Sequence, residues 1–237
     1  MKQRPIPIDL IRFVAKTGFI TKDMWKNFFH ADTSRVTTFR YWRDLVARGY
    51  FSPHPNPHLK DVLVLNRKNL HLIGDVQRLV AYAPNPILLE HDEFLLTGLL
   101  KLIRGGIINE WQTEAQLRIL DPKELRLVAK GERLKFPDAL VRLSIGSVAL
   151  EYERTQKSKK RYREILNAYS DMENIKAVIW IVKDEWISGA IKNEIKASYY
   201  PLNKRPIGFL MEKTWKEAPE KLIELETHLK QSFRLDG

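Results

Sequence analysis

Apolar residues recur at helical spacing along the first fifty positions, interrupted by short polar breaks. Leu10, Ile11, Val14 and Ala15 form one stripe, closed by Gly18. The next segment, TKDMWKNFF, opens on Thr21 as N-cap and is expected to bury Met24, Trp25, Phe28 and Phe29. A third helix should open after Asp32 or Thr33 and run through SRVTTFRYWRDLVARG to a stop at Gly49. Its inward face reads Val36, Phe39, Trp42 (or Arg43), Leu45 and Val46; Arg35, Thr37, Thr38 and Arg40 project outward. The period then shortens. YFSPHPNPHLKDVLVLN reads as a short strand, a Pro- and Asn-rich tip and a return strand from Val62 to Leu65.

Three helices and a hairpin wing predict an N-terminal winged helix-turn-helix. In that fold the third helix enters the major groove and the wing lies along phosphates, so Arg35, Thr37, Thr38, Arg40 and Lys60 are candidate DNA contacts. A protein-contact role for such a module is the alternative. His54 and His58 lie four apart, but the prolines of PHPNPH forbid the helix on which they would converge on a metal.

RKNLHLIGDVQRLVAY, 67–82, reads as a further helix, and APNP at 83–86 as a linker, giving a DNA-binding domain over 1–83 and a second domain over 84–237. The second half alternates in period. An apolar helix from Ile87 to Arg104 is stopped by Gly105 and Gly106, a strand-like INEWQTEAQLRIL follows, and a charged excursion runs from Asp121 to Lys135. After a hairpin come a helix from Ser158 to Met172, an apolar strand from Ala177 to Val182, a helix near Glu185 to Ala197 and a strand from Ile207 to Met211. The expected class is α+β or α/β, a mixed sheet flanked by helices.

The hairpin FPDALVRLSIGSVALEYERTQKS, 136–158, carries three carboxylates in otherwise core-like strands. Alternation puts Asp138, Leu140 and Arg142 on one face of the first strand and Ala149, Glu151 and Glu153 on one face of the second. With SIGS as a four-residue loop, Leu143 pairs with Val148, Asp138 stands opposite Glu153, and Glu151 is the diagonal neighbour. Like charges so placed repel unless a cation or shared protons offset them, and a hard divalent ion suits oxygen ligands. Carboxylates facing solvent, or paired with Arg142 and Arg154, are the plainer use of the same spacing.

Charge adds a partner. The formal net charge of +11 and a pI near 9.7 suit a polyanion. Residues 1–80 hold 14 Lys and Arg against 6 Asp and Glu, and RTQKSKKRYR directly after the hairpin holds six basic residues in ten. There is no cysteine, which excludes disulfides, thiolate zinc sites and cysteine nucleophiles. The start MKQRPIPIDL lacks a long apolar stretch, and no run approaches the roughly 20 apolar residues of a membrane span, so a cytoplasmic location is expected.

Pro137-Asp138, then Glu151-Tyr152-Glu153 at the end of a second strand ahead of a basic helix, resembles the PD-(D/E)xK restriction-endonuclease-like core, with glutamate where most members have lysine. Joined to a winged helix, and with LLEHDE (88–93), TEAQLR (113–118) and PDALVRL…ALEYERT, the chain resembles plasmid mobilisation relaxases of the MOBC type and, more loosely, the replication-relaxation family. That resemblance implies a nicking endonuclease at a plasmid origin of transfer, with a relaxosome accessory protein and a coupling protein as partners. It implies Mg²⁺ or Mn²⁺ held by Asp138, Glu151 and the backbone carbonyl of Tyr152. Glu153 would be a further ligand or the general base, and Lys157 and Lys160 would neutralise phosphate. A DNA-binding accessory or initiator with a degenerate nuclease domain and a double-strand endonuclease of restriction or transposition type are the competing expectations. The histidine-cluster relaxases are excluded, because no His-apolar-His motif occurs.

Overall fold

The capped helices and the period-two strands both form. A computed structural model describes residues 7–29, 34–55, 59, 61–79, 85–120, 136–198, 200 and 205–234. It is a mixed α/β protein whose residues group into two compact units, Met1–Glu93 with Ala115–Pro122, and Phe94–Glu114 with Lys123–Gly237. The expected boundary after Ala83, the charged excursion 121–135, His58 and Lys60 lie outside the described residues.

In the first unit, α1 (Ile8–Thr17) buries Leu10, Ile11, Val14 and Ala15 and ends on Gly18, whose φ of 88° needs a residue without a Cβ. The Thr21 hydroxyl accepts from Met24 N at 3.2 Å and starts α2 (Lys22–Met24), which continues as a π-helical turn, Trp25–Phe29. Three strands, β1 (Ile20–Thr21), β2 (Phe51–Pro53) and β3 (Val62–Leu65), pair antiparallel in the order β1-β3-β2. Residues 67–79 form a 3₁₀ stretch broken at Gly74 rather than the expected continuous helix.

The helix α3 (Arg35–Ala47) is rotated from expectation. Ser34 caps it, accepting from Thr37 N at 3.3 Å. Trp42 enters the core against Trp25, ring centroids 5.6 Å apart, and residues 38, 42 and 45 follow it inward at helical spacing. Thr38, expected to face out, is therefore 2 % exposed, its hydroxyl donating to Ser34 O at 3.0 Å. Val36 and Phe39, expected inside, are 61 % and 47 % exposed.

The second unit is built on a five-stranded sheet, β4 (Trp111–Thr113), β5 (Ala139–Leu143), β6 (Gly146–Glu153), β7 (Ile175–Val182) and β8 (Ile207–Met211), in sequence order. The first three strands are antiparallel and the last three parallel. Of the strand expected over 108–120 only Trp111–Thr113 forms. Glu114 to Leu120, built from strong helix formers, is α5, counted after α4 (Leu89–Arg104); all of it but Glu114 belongs to the first unit. Helices α6 (Lys159–Asp171) and α7 (Glu185–Ala197) connect the parallel strands and cover one sheet face with Tyr162, Ile165, Leu166, Tyr169, Ile187 and Ile191. On the other face Phe94 of α4 stacks on Tyr152, ring centroids 4.4 Å apart. Trp215 of α8 (Glu212–Glu217) is fully buried, and α9 (Lys221–Arg234) completes the chain.

The hairpin register differs from the expected one. Leu143 pairs with Gly146 and Ala139 with Leu150, so the loop is Ser144-Ile145 alone. Gly146 takes φ 120°, and buried Glu226 of α9 accepts from Ser144 Oγ at 2.6 Å and Ile145 N at 2.9 Å, which satisfies the tight turn. The slip is by two residues, so every side chain keeps its face.

A Cβ at Gly98 of α4 would lie 2.2 Å from the Trp215 ring, which has nowhere to move. Gly98→Ala is expected to destabilise the protein by about 1–3 kcal/mol despite its gain in helix propensity, read as a lowered urea midpoint.

Candidate functional site

The site grows from the end of β6, where a strand buried on both faces carries two carboxylates. Glu151 is 2 % and Glu153 3 % exposed, on the side covered by α6. Continuing the observed register sets Asp138 opposite Glu151, and Glu153 becomes the diagonal neighbour, the reverse of the expected pairing. Asp138 stands just before β5, behind Pro137, and its Oδ2 accepts the Tyr152 N–H at 2.8 Å. The side chain thus extends the ladder beyond the strand. A strand residue's N–H and C=O point to one edge, so the Tyr152 carbonyl lies on the Asp138 side as well. The Tyr152 ring turns to the opposite face, its hydroxyl donating to Glu212 Oε2 at 3.0 Å.

Each buried carboxylate is met from α6 or the loop before it. Tyr169 donates its phenolic proton to Glu151, and the Lys157 ammonium pairs with Glu153. Lys157 N in turn donates to Tyr162 Oη at 3.0 Å. Burial holds the Tyr169 hydroxyl well above the usual phenol range, reinforced by the charge and hydrogen bond of Glu151 and the charge of Asp138. Tyr162 is raised by burial and by Glu153, against the Lys157 amide. Asp138 and Glu151 therefore act on one phenol, while Glu153 is drawn toward Lys157.

The three acids do not close into one cluster: among the described residues no group of three or more His, Cys, Asp or Glu is arranged to hold a metal ion. Asp138, Glu151 and the Tyr152 carbonyl remain as an all-oxygen donor set of the type hard divalent ions take. Lys160 is exposed in the first turn of α6, whose N-cap Ser158 accepts from Arg161 N at 3.2 Å.

On α3 the outward stripe is Val36, Phe39, Arg40 and Arg43, with Thr37 half-buried. Arg35 opens the helix, its side chain lying outside the described residues. Lys22 Nζ sits 4.8 Å from the Phe39 ring centroid and 3.1 Å from Asp61 Oδ2.

Two residues of the site were not assigned roles by sequence. Tyr169 reads as one more apolar position of the α6 stripe, yet a phenol at that depth requires an acceptor, and that requirement was the available signal. Trp186 is 76 % exposed at the start of α7, and an exposed indole carries no periodic signature. No family model matches the chain, and no curated protein or solved structure matches it.

Tyr162, Tyr169 and Tyr200, the last raised to about 12 chiefly by burial, all hold their protons more tightly folded than unfolded. The stability they contribute is complete below pH 10 and lost as pH rises toward 12. Absorbance of phenolate against pH is expected to show a late, cooperative fraction coincident with unfolding, reduced in Tyr169→Phe.

Proposed function

We propose that this protein binds DNA through its N-terminal unit, a winged helix-turn-helix, and cleaves one DNA strand with its second unit, a restriction-endonuclease-like domain. The setting that fits best is nicking at a plasmid origin of transfer. One observation carries the cleavage reading: Asp138 accepts the Tyr152 N–H, and the continued register sets it opposite Glu151, directly ahead of the six-in-ten basic run that leads into α6. Mg²⁺ or Mn²⁺ would be held there by Asp138, Glu151 and the Tyr152 carbonyl, and when bound supplies phosphate polarisation and an acidified water. Glu153, buried beside Lys157, would take a proton once that ion pair opens to phosphate. Lys157 would give the backbone of the substrate an ammonium group beside the carboxylates, and Lys160 a second one on the exposed first turn of α6. Tyr152 presents its hydroxyl to Glu212, on the other sheet face, and the fully buried Tyr169 holds its proton against Glu151, so water is favoured over either tyrosine as the nucleophile.

The DNA-binding half is supported by three helices, a three-stranded antiparallel sheet, and an α3 whose outer stripe ends in Arg40 and Arg43. No helix among the described residues is long and apolar enough to cross a membrane.

A second reading has its own observation. Glu151 and Glu153 are satisfied from within the protein by Tyr169 and Lys157, as they would be in an accessory or initiation protein that binds DNA without cutting it. Supercoiled plasmid carrying the protein's own mobilisation region separates the two. With Mg²⁺ or Mn²⁺ the wild type is expected to give open circles and no linear product, and Asp138→Ala and Glu151→Ala none. Binding without nicking under every metal condition would establish the second reading, and linear product a double-strand cutter.

Binding of the full chain to duplex DNA is expected to weaken steeply with salt. Arg40→Ala should weaken it further and lower the slope of log affinity against log salt by about one. An unchanged affinity and slope in Arg40→Ala would remove α3 from the interface.

A further inference from the structure

We propose that the cleft between α7 and the loop before α6 is a pocket for one unpaired nucleotide of a DNA strand, its base stacked on the indole of Trp186. The inference rests on the reading of the second unit as a DNA-cleaving domain and names the form of substrate that domain takes.

The pocket has a volume of about 300 Å³, at the lower end of the range for small-ligand clefts. It has room for one ring system and not for a duplex. Four residues of α7 shape it at helical spacing: Trp186, Gly189, Ala190 and Asn193. The aromatic ring is followed along the helix by two residues with almost no side chain. A Cβ at Gly189 would meet nothing within 4 Å, so the space beside the indole is open. Gln156, from the facing loop, accepts the Trp186 indole N–H and fixes the ring although it is 76 % exposed. An exposed indole held in place is a stacking surface, and base stacking on such a ring tolerates any sequence because every base has a π-face.

Position points to the ligand. Lys157 and Lys159 line the pocket, and Lys157 also pairs with Glu153. One side chain therefore joins the pocket to the candidate site, so a phosphate neighbouring the stacked base would lie toward the carboxylates. Two acids also line the cleft. Glu194 is 4 % exposed and taken up by Arg163 at 2.6 Å, and Glu185 stands in the first turn of α7. The amides of Gln156 and Asn193 offer donors and acceptors to a base edge without selecting one base. A base inside a duplex cannot reach this indole, because both its faces are already stacked; an unpaired one can.

The test uses the full chain in EDTA, so that binding is read without cleavage. The probe is a fluorophore-labelled single-stranded DNA of about 12 nucleotides, with the matching duplex as comparison, both followed by anisotropy. Trp186→Ala is expected to weaken single-strand binding roughly 5- to 100-fold, Trp186→Phe to weaken it less, since it keeps a stacking ring but loses the N–H that Gln156 holds, and duplex affinity to be unchanged in both. Gly189→Leu, which fills the pocket and favours the helix, is expected to reproduce the loss while leaving Trp186 in place. Single-strand affinity unchanged in Trp186→Ala and Gly189→Leu overturns the proposal. So does an equal loss on duplex, or no single-strand binding by the wild type. A separate nicking assay with Mn²⁺ keeps the two ideas apart. Trp186-dependent binding without nicking sinks the cleavage reading and leaves the pocket standing; nicking with Trp186-independent binding sinks the pocket alone.

Discussion

The second unit depends on keeping two carboxylates inside a protein. β6 is the centre of the sheet and is buried on both faces over its last six residues, yet Glu151 and Glu153 belong to that stretch. An ionised carboxylate taken from water without partners is among the most unfavourable groups a fold can bury. Much of the local architecture answers that one requirement. Tyr169 reaches Glu151 only because α6 is capped and phased to place a phenol at its third inward turn. Lys157 reaches Glu153 because the loop after β6 turns back, with its amide held by Tyr162. Asp138 is held in turn by the Tyr152 amide at the point where β5 has run out of backbone to offer.

The partners of the two glutamates differ in kind. A phenol gives Glu151 a hydrogen bond and no charge, since burial and Glu151 itself keep the proton on Tyr169. An ammonium gives Glu153 both. Displacing the first partner with a cation exchanges a neutral donor for a charge, while displacing the second exchanges one charge for another. At Glu151, the carboxylate that the register puts opposite Asp138, such an exchange would also leave the buried Tyr169 phenol without its acceptor.

Strand faces were legible in the sequence because their period is two and survives a register slip of two. Asp138, Glu151 and Glu153 share a face in either register, although which residue opposes which changed. The loop length was not legible. It is fixed by Glu226, more than eighty residues away, and by the positive φ of Gly146. The helix start at Thr21 was readable from its cap, whereas the phase of α3 was not. With Val36, Phe39, Trp42 and Leu45 all apolar, the sequence offers two overlapping stripes, and the packing of Trp42 on Trp25 decides between them. Local rules identified the elements, and contacts distant in sequence set their rotation and register.

That rotation bears on function. With Thr38 and Trp42 turned inward, the outward stripe of α3 joins Val36 and Phe39 to Arg40 and Arg43. Large apolar side chains exposed on a helix are costly to leave in water unless they have a use. On a groove-reading helix the use is contact with thymine methyl groups, which sit in the major groove beside the phosphates the arginines would take. The Phe39 ring is held in place by Lys22 and flanked by Arg43. Lys22 is also paired with Asp61 at 3.1 Å, so the cation beside the ring already has its counter-charge within the unit. The exposure of Val36 and Phe39 overturns the expected inward face, so the surface that α3 offers to any partner is mixed, apolar side chains interleaved with arginines.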